Sequence, residues 1–279
     1  MAPFPCKLEE VENEIFNSGE VVETIQPESS DKHEELMKRV TDVVYPEFFE
    51  IYGGETRTME RFLMARDWDV KKAEKMLRKC VEYRQEKNLD GKKSKDELQY
   101  LEDIEKEIRP HWAVMFWGLS KDGNLMTYAS VKNVVLKDIL KIPEENIKRF
   151  FLEELRKASK IHNYANSEPR KSSDQKRWRS SIDIIDLKGI SMAHLHISGL
   201  RVLNRVLKLA QIVAPEIMDK TYIINSPWFF SAAWSVIKKV LAPQIVAKVT
   251  ITSGSAEDEI LEHLGGDREA YEDLISSGN

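Results

Sequence analysis

With 279 residues, 42% hydrophobic and 32% charged side chains, and a formal charge of −5 at pH 7, the chain reads as one large or two smaller globular domains with a substantial core. That balance excludes a disordered chain and gives no reason to expect nucleic-acid binding; no stretch reaches the roughly eighteen uninterrupted apolar residues of a membrane span. Two cysteines, Cys6 and Cys80, form neither a disulfide framework nor a zinc motif, so a reduced, cytoplasmic protein is expected.

The opening "MAPFPCKLEEVENEIF" is acidic where a secretory signal is basic and then apolar, and Ala2 rather than Gly follows Met1. Residues 1–30 read as a mobile acidic tail. A helix then runs through "KHEELMKRVTDVVYPEFFEIY", with Leu36, Val40, Val43 and Val44 at helical spacing, and Pro46 kinks or ends it. Thr58–Arg66 predicts a short helix. Asp69 caps the next, whose Ala73, Met76, Leu77, Cys80 and Val81 follow the 3.6 period. "DELQYLEDIEKEI" completes a helical region over 31–108.

From 109 the pattern changes. Two apolar runs flank Asp122-Gly123, a hairpin signal, and Pro143 opens a long amphipathic helix. "SIDIIDL", "KTYIINS" and "KVTITS" read as buried strands separated by helices, and a last helix covers "SAEDEILEHL". Apolar strands alternating with helices predict an α/β fold with a largely parallel sheet over 109–279.

Catalytic constellations fail on inspection. Ser191 in "GISMAH" lacks the second glycine of a nucleophile elbow, Ala193 standing there. His194 and His196 lie about 200° apart on a helix and do not share a face for a metal. "GGDRE" and "IYGGET" are turn glycines without a phosphate cradle. The basic loop bearing Arg170, Lys171, Lys176, Arg177 and Arg179 around Trp178 reads as a solvated insertion or as a contact for an anionic surface. No enzyme is expected.

"SPWFFSAAWSVIKKVLAP" (226–243) is unusual. On a helix over Trp228–Leu241, Phe230, Ala233, Trp234, Ile237 and Leu241 form one apolar stripe, and Phe229, Ala232, Val236 and Val240 a second beside it. Ser231, Ser235, Lys238 and Lys239 are left for a polar face. The periodicity fits a deeply buried core helix and equally a lid with one face toward a cavity and one toward something removable.

"RFLMARDWDVKKAEKML…YRQ", "IDIIDLKGIS", "APEIMDKTYIINSPWFFSAAWSVIKKVLAPQIVAKV" and the terminal "HLGG" together resemble the CRAL-TRIO lipid-transfer family, in the family's order and over roughly residues 31–270. The yeast-type phosphatidylinositol/phosphatidylcholine transfer proteins are the nearest in pattern. The resemblance implies an N-terminal helical subdomain followed by a lipid-binding domain, in which a mixed, largely parallel sheet floors a cavity closed by a mobile gate helix. It makes 226–243 the gate, with Trp228, Phe229, Phe230, Trp234, Ile237, Lys238 and Lys239 as its working residues.

The family's phosphatidylinositol site maps onto Arg66, Glu216 and Lys248, while Asp67 and Ile245 replace a lysine and a threonine of the pattern. These residue types suit the ligand: Arg and Lys neutralise a phosphodiester, and a carboxylate accepts from inositol hydroxyls. The choline site is altered. Ser181 matches, but Asp183 stands where a threonine would be, and Phe116 and Thr127 fall near two tyrosine positions. Gly123-Asn124-Leu125 replaces the family's Gly-Arg-Pro turn. The resemblance thus implies phosphatidylinositol, a second lipid that is not established as phosphatidylcholine, transient contact with a membrane surface, no cofactor or metal beyond a bound phospholipid, and a monomer. The competing readings are a carrier or sensor of one apolar molecule (a sterol, tocopherol, retinoid or haem) and a non-catalytic scaffold presenting phosphatidylinositol to a lipid kinase.

Overall fold

The computed structural model describes residues 6–17, 30–132, 134, 136–167, 179–192 and 197–277. The chain opens with strand β1 (Cys6–Lys7) and helix α1 (Leu8–Asn17), where a mobile tail is the sequence expectation. Val11 and Ile15, four positions apart on α1, are buried with Cys6 against Leu119, Leu125 and Ile161. The acidic composition of this stretch hides that apolar face. β1 pairs antiparallel with the next strand opposite Gly118, where any Cβ would collide with the Cys6 carbonyl.

Helices α2 (Ser30–Val40), α3 (Pro46–Tyr52), α4 (Glu55–Met64), α5 (Val70–Glu86) and α6 (Lys95–Ile108) follow. Pro46 starts α3 rather than kinking a longer helix, as its missing N–H permits at a first turn. The Asp69 carboxylate caps α5 by accepting from the Lys72 amide at 3.0 Å. Leu36, Phe48, Tyr52, Phe62 and Leu77 form one core with Leu209 and Val213 from much later in the chain. The helical region is therefore packed on the rest rather than standing alone. Its bonds are specific: Tyr52 donates to the Val213 carbonyl at 2.7 Å, Arg57 to those of Asn163 and Asn166 at 3.2 and 2.8 Å, and Arg61 to Pro215 at 2.9 and 3.1 Å.

Strands β2 (Val114–Leu119) and β3 (Leu125–Ser130) form the hairpin anticipated around Gly123. Helix α7 (Leu136–Ile139) and the long α8 (Glu144–Ser167) lead to β4 (Ser181–Asp186). Then come α9 (Ile197–Val213), β5 (Met218–Ile224), α10 (Phe230–Ile237), α11 (Pro243–Val246), β6 (Val249–Ile251), α12 (Glu257–His263) and α13 (Arg268–Ser276). Helix α13 has no counterpart among the sequence expectations, although Asp267 caps it.

The six strands lie in sequential order. The first three are antiparallel neighbours and β3 to β6 are parallel, so α8, α9 and the α10–α11 segment are crossovers. The result is the mixed, largely parallel α/β sheet expected. α12 and α13 cover one face through Ile260, Leu264, Tyr271 and Leu274, against Trp117, Met126, Tyr128, Ile182, Ile184, Tyr222 and Ile224. The opposite, inner face meets α8 at one end and α10 at the other.

Candidate functional site

The two sheet faces differ in how completely they are filled. Beneath α12 and α13 those seven side chains make one buried cluster, and exposed Met115, opposite Tyr128, lies at the β2 edge of that face. On the inner face Phe116, Asp183, Ile185 and Val249 remain only half-buried although they sit on the floor of the fold. Phe116 also borders a cleft of about 470 Å³ between β2 and α8, lined further by Trp112, Val114, Glu154 and Lys157.

Cross-strand register places Phe116, Thr127, Asp183, Thr221 and Val249 in one row over this face. Thr127 Oγ1 donates to Asp183 Oδ1 at 2.8 Å, and the Thr221 hydroxyl, which neighbours the same carboxylate in the row, donates to Met218 Sδ at 2.9 Å. Burial pushes the Asp183 carboxyl up to about 6, and the two threonines only partly counter it. Asp183 is thus half-buried and strongly desolvated on the inner face. Ser181, one pleat earlier, instead meets buried His162 of α8, with Oγ and Nε2 at 3.0 Å. Burial, followed by the Arg61 charge, pushes that imidazole down to about 3. The expected second-ligand residues are thus divided: Phe116, Thr127 and Asp183 share a row, and Ser181 is engaged with α8. Thr221 belongs to the row but is not among the expected site residues; its inward parity with Ile223 was the available clue.

At the N-terminal edge of the parallel strands, Lys248 Nζ lies 3.2 Å from Glu216 Oε2 and donates to the Met218 carbonyl at 2.9 Å. Glu216 is held in the left-handed region at φ 50°, its carbonyl accepting from Ser180 Oγ at 2.8 Å, while Arg61 grips the preceding Pro215. The Lys248 carbonyl accepts from the Thr221 amide at 3.0 Å, which ties this ion pair to the polar row. Arg66 bonds neither Glu216 nor Lys248. It donates to the Ala65 carbonyl, which Gln244 of α11 also approaches at 3.4 Å, so it stands beside the segment that carries Lys248.

α10 is shorter than the helix expected over 228–241. It ends at Ile237, where the Lys239 and Val240 amides bond three residues back instead of four. Lys238 and Lys239 therefore fall in an exposed turn, and Ala242 is extended before Pro243. Phe230, Ala233 and Ile237 are buried, and Phe230, Ala233 and Trp234 pack on Leu187 and Ile223. Trp228 is 87% exposed, and Val236 and Ala232 also face out. Neighbouring α9 adds exposed Ile197 and Leu203. The Gln211 side chain of α9 clamps the far end of the segment, donating to the Val240 carbonyl at 2.9 Å and accepting from the Ala242 amide at 3.0 Å. No local pattern in the sequence announces that clamp.

Among the other motifs, Arg179 is corrected: it is buried, and its guanidinium donates to the Ala165 carbonyl while its amide donates to Asn166 Oδ1, so it closes the end of α8 rather than offering a basic surface. The remaining residues of that loop (170–178) and His194 and His196 lie outside the described residues. Among the described residues there is no group of His, Cys, Asp and Glu that could hold a metal ion, and no helix long and apolar enough to cross a membrane.

The CRAL/TRIO domain matches residues 110–269 and the CRAL/TRIO N-terminal domain residues 20–79. The chain belongs to the CRAL/TRIO family of lipid-binding transfer proteins. Among individual proteins it is similar to the Sec14 cytosolic factor of Schizosaccharomyces pombe, 28% identical over 213 residues that cover 75% of this chain and 71% of the relative. It is also similar to the SEC14 cytosolic factor of Eremothecium gossypii, 29% identical over 74% of this chain and 65% of the relative. The Phosphatidylinositol/phosphatidylcholine transfer protein SFH7 of Arabidopsis thaliana is 24% identical over 76% of this chain but only 38% of its own length. The crystal structure of Sfh5 superposes with a TM-score of 0.59 at 14% identity, covering 87% of this chain and 89% of that one, a likeness of fold.

Proposed function

We propose that this protein is a non-catalytic, cytosolic lipid-transfer protein that holds phosphatidylinositol over the inner sheet face and exchanges it at membranes against a second lipid. The observation that carries the reading is the Glu216–Lys248 pair at 3.2 Å on the rim of an incompletely filled sheet face that α10 covers. In this reading Lys248 neutralises the phosphodiester and Glu216 accepts from inositol hydroxyls, with Arg66 a second cation next to Ala65, whose carbonyl Gln244 of α11 approaches.

Two acyl chains hold about thirty methylenes, and at about 0.8 kcal/mol each their exposure to water costs on the order of 20 kcal/mol. A carrier must therefore enclose them, and release requires the cover to move only where lipid replaces water. α10 has the composition for this, since one stripe faces the sheet and Trp228, Ala232 and Val236 face outward beside Lys238 and Lys239. At an anionic surface each lysine contributes about 1 kcal/mol. Opening at the membrane exchanges the lipid, and closure frees the protein.

Transfer of labelled phosphatidylinositol between vesicles tests this. Wild-type protein is expected to accelerate transfer far above the spontaneous rate, and the double variant Glu216→Ala/Lys248→Ala to lose about tenfold or more. Full transfer by the double variant refutes the headgroup assignment. Absence of transfer by folded protein refutes the reading and leaves a carrier of one apolar molecule or a scaffold for a lipid kinase. Mass spectrometry of the extracted ligand, Soret absorbance for haem, and lipid-kinase stimulation without transfer separate those.

A further inference from the structure

Asp183 is the one acidic member of the row, and its surroundings leave it incompletely served. A carboxylate offers about four acceptor positions. Here the protein supplies the Thr127 hydroxyl on β3 at 2.8 Å, while the neighbouring Thr221 hydroxyl on β5 donates to Met218 Sδ at 2.9 Å. Among the described residues no Lys, Arg or His side chain pairs with it. Asp186, three residues later on the outer face, shows the contrast: it accepts from the Tyr128 hydroxyl, the Asn225 amide and the Lys188 backbone, each at 2.8 Å. A desolvated acid with so few donors costs free energy unless something else meets it.

The open direction is inward. Thr127 and Thr221 flank Asp183 along the sheet, β4 lies beneath it, and Phe116 and Val249 end the row in half-filled space. The group that completes the site must donate hydrogen bonds. A quaternary ammonium has no N–H to give and depends on aromatic faces, of which the row supplies only Phe116. A primary ammonium supplies three donors and a compensating charge, and a hydroxyl supplies one donor to a carboxylate.

We infer that the second ligand is a lipid whose polar end donates hydrogen bonds to Asp183, through a primary ammonium or a hydroxyl, in preference to a choline lipid. This rests on the lipid-exchange reading above. It assigns Asp183 as the residue that selects between headgroups, with Thr127 positioning its carboxylate. The raised pKa of the acid is in accord, since a carboxyl held near 6 ionises readily beside a cation and also serves a hydroxyl in either protonation state.

The test offers the full-length protein vesicles containing equal amounts of phosphatidylinositol, phosphatidylcholine, phosphatidylethanolamine and cholesterol, and reads the retained lipids by native mass spectrometry. Wild-type protein is expected to retain phosphatidylethanolamine or cholesterol over phosphatidylcholine by about tenfold or more. If the ammonium is the donor, Asp183→Asn and Asp183→Thr both lose most of that preference. If the hydroxyl is the donor, Asp183→Asn, which keeps a carbonyl acceptor, loses less than Asp183→Thr. Preference of the wild type for phosphatidylcholine, or an unchanged ratio in both variants, overturns the inference while retained phosphatidylinositol still supports the transfer function. A wild-type protein that retains no lipid at all removes the transfer function itself.

Discussion

The two faces of one sheet have been built to different standards. Beneath α12 and α13 seven outward strand side chains form one buried cluster, and the polar atoms there are matched: Asp186 has three donors, and Trp117 Nε1 and Lys7 Nζ each reach Asp273 at 2.8 Å. Beneath α8 and α10 the same strands present half-buried Phe116, Ile185 and Val249 and an acid served by the Thr127 hydroxyl, and α8 adds His162 with one ring nitrogen unpartnered. Close packing is what makes a face stable, and its absence costs several kcal/mol per fold. The difference teaches which face carries the fold and which is kept for a ligand.

Truncation is the largest lever on that contrast. Ile184→Ala, on the filled face, is expected to cost about 2–5 kcal/mol in urea unfolding of the lipid-free protein, and Ile185→Ala, one residue on but half-buried, well under half as much. Equal losses would mean the inner face is as tightly packed as the outer.

Acid gives the next largest effect. His162 is held neutral by burial, with a folded pKa of about 3 against 6.5 when unfolded. The unfolded chain binds the extra proton between those values, so this group's stabilisation is present above about pH 6.5 and is lost as pH falls, by about 3 kcal/mol at about pH 4. His162→Gln should flatten the acid limb of a stability–pH profile. Asp183 has the opposite sign. Its pKa rises from 3.8 to about 6 on folding, so its contribution is full below about pH 4 and is lost as pH rises through 6. Asp183→Asn is therefore expected to stabilise the lipid-free protein at neutral pH, on the order of 2 kcal/mol, with the gain vanishing in acid. A destabilising Asp183→Asn at pH 7 would show that the carboxylate is already well served. Stability gained at the expense of ligand selection is the usual mark of a functional residue.

The smallest effect concerns the cover. Gln211→Ala removes both bonds that clamp Val240 and Ala242. Amide exchange over α10 and the following turn should rise severalfold, with global unfolding shifted by about 1 kcal/mol. Unchanged exchange would mean that the clamp does not restrain the segment.

Local chemistry made much of this legible. Asp69 and its cap, the turn at Gly123 and the apolar strands around Ile184 and Tyr222 all follow from spacing within a few residues. What stayed hidden depends on contacts distant in the chain. β1 exists because Gly118, more than a hundred residues on, leaves room for it. Thr221 joins Asp183 only through strand register, and Gln211 finds Val240 only because α9 lies beside α10. The family pattern named Glu216 and Lys248 as two headgroup residues, but nothing in their separation of thirty-two residues announces that they pair with each other. α10 ends at Ile237, short of Leu241, because the Lys239 and Val240 amides turn to tighter bonds that the apolar spacing of this stretch does not announce.

The central claim is that the inner face holds a phospholipid. Native mass spectrometry of the purified, folded protein after incubation with phosphatidylinositol vesicles tests it directly. The account predicts a complex carrying the mass of a single phosphatidylinositol, depleted in Glu216→Ala/Lys248→Ala. Folded protein that stays lipid-free at every vesicle concentration would contradict it.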